Sequence, residues 1–164
     1  MTAANASYPR ILSDRPTWAL RGARNGAVAG LAMAMVMMML GLFDQGFFAA
    51  PSSIWAFWAG PAAYHPRELD ISALLGAMGH MMNSIVLGIA FAFVVTRIIG
   101  PRSTSGSIAA GMAFSLLALA VMWLVVLPLG ANGNIVKGSA AIWIWVMGHA
   151  AFGAVGGLLS RRWR

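Results

Sequence analysis

Residues 69–96 read LDISALLGAMGHMMNSIVLGIAFAFVVT. After Asp70 this stretch carries no Asp, Glu, Lys or Arg. It exceeds the ~20 residues that take a helix across a ~30 Å hydrocarbon core. Inside lipid no water is present to satisfy backbone N–H and C=O groups, so such a segment closes its hydrogen bonds internally as a helix. Three further apolar runs of similar length lie at about 24–43, 107–127 and 139–159. The sequence therefore predicts an all-α integral membrane protein, with four transmembrane helices in an up-down bundle.

Composition supports the same solvent. Of the 164 residues, 60% are hydrophobic and only 9% charged, against about 25% charged in an ordinary soluble domain. The net charge of +7 would suggest nucleic acid in a soluble chain. Here the cations sit at helix ends, where they read as topology and contact with anionic lipid. With no cysteine, disulfides, thiolate zinc sites, iron–sulfur clusters and covalent c-type haem are excluded.

Residues 1–23 form a polar arm on the cytoplasmic side, with Trp18 as an interfacial anchor, and 24–164 form the membrane domain. The first apolar run is longer than the 7–15 residues of a signal-peptide core, so it is expected to be retained. An outer loop, 44–68, holds a short interfacial helix near 52–58, while Gly130 to Gly138 reads as a tight turn. Pro128 is expected to end or kink the third helix. Trp18, Trp55, Trp58, Trp143 and Trp163 suit the aromatic belts. One side of this arrangement receives Arg10, Arg15, Arg21, Arg24, Arg97, Arg102, Arg161, Arg162 and Arg164; the other receives only Arg67 and Lys137. That bias predicts both termini in the cytoplasm of a multi-pass inner-membrane protein.

The two halves resemble each other. Gly26-Ala-Val-Ala-Gly30 opens the first membrane helix and Gly106-Ser-Ile-Ala-Ala-Gly111 the third. Met78-Gly79-His80 lies in the second and Met147-Gly148-His149 in the fourth, followed by small residues at Ser84 and Gly88, then at Gly153 and Gly157. This spacing predicts two duplicated helical hairpins. It places His80 and His149 at one depth, ~15 Å from the outer surface, on helices that lie across a diagonal.

Ionisable residues inside a membrane mark functional positions. Two imidazoles facing each other would ligate one b-type haem from both sides, with Ser84, Gly88, Gly153 and Gly157 leaving room for the macrocycle. The arrangement resembles b-type cytochrome bundles, whose ligands come from the second and fourth of four helices. That resemblance implies a small subunit of a larger redox or respiratory membrane complex, with no enzyme activity of its own. A non-catalytic accessory or assembly subunit, in which the same histidines and small residues only pack helices, stands beside it. A copper or solute transporter acting as an oligomer is the third reading: His80, His149, Met78 and Met147 would supply soft ligands. Partners are the bilayer and other membrane subunits or further copies of the chain, and not nucleic acid. Asn83 is expected to be hydrogen-bonded within the bundle, Asp44 to be interfacial and His65 to be solvated. No phosphate loop, HExxH pair or GxSxG elbow occurs.

Overall fold

The computed structural model describes residues 17–95, 98, 100 and 103–161. Trp163 and six of the arginines that set the charge bias (10, 15, 97, 102, 162 and 164) lie outside them. The described residues form α1 (Thr17–Gly41), α2 (Ala49–Ala59), α3 (Ile71–Val94), α4 (Thr104–Leu129), α5 (Gly133–Gly138) and α6 (Ile142–Ser160). Four of these, α1, α3, α4 and α6, are long and apolar enough to cross a membrane. The first helix begins seven residues earlier than the hydropathy predicts, taking in part of the expected arm, and Trp18 stacks on Phe93 with ring centroids 6.0 Å apart.

The small residues decide which helices touch. On α1, Gly22, Gly26 and Gly30 form one stripe, which meets Ser84, Gly88 and Ala92 of α3. A Cβ on Gly26 would fall on the Ser84 carbonyl, and one on Gly88 would fall on the Gly22 carbonyl, so the two backbones meet directly. A second stripe, Ala29, Met33 and Met37, meets Gly148 and Gly156 of α6. Adjacent helical residues are about 100° apart, so the two stripes face roughly at right angles and α1 forms a corner. The last helix repeats the device: Gly148 and Gly156 face α1, while Gly153 and Gly157 meet Ser107 and Gly111 of α4.

The packing order is thus α3–α1–α6–α4, with neighbours antiparallel, and α3 lies diagonally across from α6. Three sides of the bundle are sealed by small-residue seams. The fourth side, between α3 and α4, is bridged where Phe91 meets Phe114, with centroids 5.2 Å apart.

The short helix expected near 52–58 between α1 and α3 is present as α2. α2 folds back against α3, with Ser52 and Ser53 fully buried, and Gly76 meets the Pro51 carbonyl. Each serine spends its hydroxyl on a carbonyl of its own helix, at 2.7 Å for Ser52 to Phe48 and 2.8 Å for Ser53 to Ala50, so burying them leaves no orphan donor. The expected tight turn after α4 is the short helix α5. Asn132 just before it donates to the Phe57 carbonyl at 3.1 Å, tying that turn to α2. Pro128 stands one residue before the end of α4 at Leu129, in keeping with the expected end or kink. The helix widens to π geometry over Met122–Val126, and Leu127 N–H bonds back to Met122; such a bulge relieves the clash a proline makes with the preceding turn.

Two polar ties fix the same end of the bundle. Asp44 accepts the Ala141 N–H at 2.7 Å, joining the end of α1 to the start of α6. Asp70 caps α3 by accepting the Ala73 N–H at 2.9 Å, and its other oxygen lies 2.6 Å from His65 Nδ1. His65, its side chain 42% exposed, is solvated as expected and is also held by an acid, with Nε2 2.9 Å from the Ala62 carbonyl. The Ala73 N–H, followed by the nearby His65, holds the Asp70 carboxyl below the ordinary aspartate range. Tyr64 sits beside them, and burial, helped by the Asp44 charge, pushes its phenol upward.

Candidate functional site

Between α3 and α4, under the ceiling formed by Ile54, Phe57 and Trp58 of α2, lies a cavity of about 720 Å³. Both membrane histidines line it: His80 from α3 and His149 from α6. Each ring is fixed by one bond to a backbone carbonyl. His80 Nε2 donates to Gly30 O across the α1–α3 seam at 3.0 Å, and His149 Nδ1 donates to Trp145 O one turn back at 2.9 Å. A carbonyl only accepts, so both bonds fix the proton position. In the neutral rings, Nδ1 of His80 and Nε2 of His149 are left as lone-pair acceptors.

The two histidines stand at similar distances from the starts of their helices. Helix α3 runs ~14 Å from Ile71 to His80, and α6 runs ~11 Å from Ile142 to His149. His149 is buried at 5% exposure, beneath Trp145 at 2%. Their rings are tilted, with centroids 6.5 Å apart, and Trp123 packs on the far side of Trp145 at 6.3 Å. The Trp145 indole N–H is buried without a partner.

Of the other residues singled out in the sequence, Ser84 lines the cavity and its hydroxyl lies 3.5 Å from His80 Nε2. Gly88, Gly153 and Gly157 do not line it; they are spent on helix–helix contact, where neighbouring backbone fills the space a side chain would take. Asn83 is exposed on the cavity wall, not buried within the bundle. Met78 and Met147 are 63% and 51% exposed and neither faces the cavity; Met33, Met82 and Met122 do. Sequence reading missed Trp145, although it stands four residues before His149 on the stripe that continues through Gly153 and Gly157. The π segment supplies Met122 and Val126 to the wall, and no pattern in the sequence announced it.

The lining contains no Asp, Glu, Lys or Arg. Among the described residues no group of three or more His, Cys, Asp or Glu gathers anywhere. As a holder for haem, the cavity offers one ready ligand, His149, whose Nδ1–H is anchored on a carbonyl as ligating histidines usually are. His80 would have to ligate through Nδ1 or release Gly30. No family model, curated protein or solved structure matches the chain.

Proposed function

We propose that this chain is a non-catalytic membrane subunit that binds a lipid-soluble molecule in the α3–α4 cavity, with access from the bilayer. One observation carries this reading: among the described residues, the side of the four-helix square without a small-residue seam is the side where the buried His149, the half-buried His80 and an apolar space come together. Ligand pockets are typically apolar spaces of ~300–1,000 Å³ with a few convergent polar groups, and this one has that composition. The arginine bias supports an orientation with both termini in the cytoplasm, which puts the α2 ceiling on the outer side. The equivalent use of Gly26–Gly30 against Ser84–Gly88, and of Ser107–Gly111 against Gly153–Gly157, supports two duplicated hairpins.

The test is displacement of a solvatochromic apolar dye from the purified protein in lipid nanodiscs. Wild type should bind the dye at one site. Ala118→Trp, which places an indole in the cavity, should abolish that site while leaving the far-ultraviolet spectrum and melting temperature in place. Dye binding that is equal in the two proteins overturns the reading.

The anchored His149 ring favours a second reading of the same space, in which it holds one b-type haem with His80 as the opposite ligand. The haem would supply one-electron transfer, as in a subunit of a redox complex. A dithionite-reduced minus oxidised spectrum with a sharp α band, lost in His149→Ala, would establish it. A flat spectrum in protein purified without haem loss would end it.

A further inference from the structure

If the cavity binds a lipid-soluble molecule, as proposed above, its walls also restrict the chemistry of that molecule. Both imidazoles have committed their N–H to a backbone carbonyl, His80 to Gly30 and His149 to Trp145. What remains on each ring is a lone pair. A molecule carrying only acceptors, such as a quinone or an ester, would leave both lone pairs unmatched, at a desolvation cost. One that brings hydrogens would satisfy them. With no charged side chain in the lining, a carboxylate, phosphate or ammonium group would be desolvated without a counter-charge, so the molecule is neutral. The two acceptors stand on helices diagonal to one another, across a space large enough for a ring. The rest of the wall, including Phe114, Leu117, Val121 and Phe152, is mostly apolar. Its polar members are Asn83, Ser84, Ser115 and the unpartnered Trp145 indole N–H. A hydroxyl, which accepts as well as donates, suits these donors too.

We infer that the cavity takes a quinol-type molecule: a neutral aromatic ring with two opposed hydroxyls and an apolar tail. One hydroxyl donates to His149 Nε2 and the other to His80 Nδ1, while the tail leaves between α3 and α4 into lipid.

Three probes of nearly equal shape test this by anaerobic titration calorimetry of the full chain in nanodiscs: a decyl-substituted benzohydroquinone, the corresponding quinone, and the hydroquinone's dimethyl ether. The expected result is that the hydroquinone binds at least ten-fold more tightly than the quinone or the ether. His149→Phe and His80→Phe should each bring the hydroquinone down toward the ether while leaving the ether's own affinity unchanged, which also shows that the cavity is intact. Equal affinity for all three overturns the assignment of a hydroxyl donor and leaves the apolar cavity standing. Binding of none of the three, with dye binding also absent, overturns the cavity reading itself.

Discussion

His80 donates its Nε2–H to the carbonyl of Gly30, fifty residues earlier in the chain and 3.0 Å away. That carbonyl belongs to a helix, and it accepts through its second lone pair. The approach is possible because the α1 stripe has no side chains to hold α3 away. The bond thus ties the functional candidate to the seam that builds the fold. His80→Ala should lower stability by ~0.6–2 kcal/mol, the range for a hydrogen bond between membrane helices. His80→Gln, which keeps a donor, should recover part of the loss. Melting curves in one detergent check both.

The seams set a sharper contrast. A Leu at Gly88 would drive its side chain into the backbone of Gly22 and Gly26. Overpacking of this kind costs ~1–3 kcal/mol where neighbours can shift, and more here, because backbone cannot shift. Gly88→Leu should therefore fail to give a folded monomer in size-exclusion chromatography. Gly138→Ala, with nothing within 4 Å of the new Cβ, should elute and melt like wild type.

Asp44 bridges two helices that the sequence separates by 97 residues, accepting the Ala141 N–H at 2.7 Å. Removing a carboxylate from a helix start typically costs ~0.5–2 kcal/mol. Because Asp44 is exposed, the lower half of that range applies to Asp44→Ala. Hydrogen exchange should then quicken at residues 141–145 and stay unchanged at residues 149–157.

Acid should loosen the α2 end of the bundle before its middle. The Asp70 carboxyl titrates below its ordinary value of 3.8 in the folded chain, chiefly because it accepts the Ala73 N–H. A depressed carboxylate contributes its full stabilisation above the unfolded value and loses it as pH falls through the folded one. Proteolysis within residues 61–70 should therefore stay slow down to about pH 4 and accelerate below it. In Asp70→Asn that acid-dependent step should be missing.

Trp145 presents an unpaired buried N–H, a defect that phenylalanine lacks. Trp145→Phe removes aromatic volume and the orphan donor together. Its stability should change by about 1 kcal/mol or less, well short of the ~3–5 kcal/mol of a Trp→Ala change. Equilibrium melting distinguishes the two variants.

The four spans, the antiparallel order and the diagonal placement of the histidine helices were readable because each follows from one-dimensional spacing. Run length gives the spans, and glycines four apart mark the seams. The partner of each seam was not readable. Gly88, Gly153 and Gly157 were taken for space beside a cofactor, yet each is filled by a neighbour's backbone. Glycine spacing looks the same for a gap and for a close contact, and only the third dimension separates them. The burial of α2 escaped for a similar reason: Ser52 and Ser53 look polar in sequence but satisfy themselves within their own helix. Met122 and Val126 reach the cavity wall through a local widening of α4 just before Pro128. That widening is the backbone's answer to a proline in the last turn of the helix.

A square of helices with three closed edges is a trough, not a pipe. On the proposed reading, whatever occupies the trough arrives sideways, and the acyl chains of the surrounding leaflet complete its wall. Lipid thickness and saturation are in this sense part of the molecule's tertiary structure. The affinity of the cavity should therefore be a property of the membrane the protein sits in as much as of its sequence.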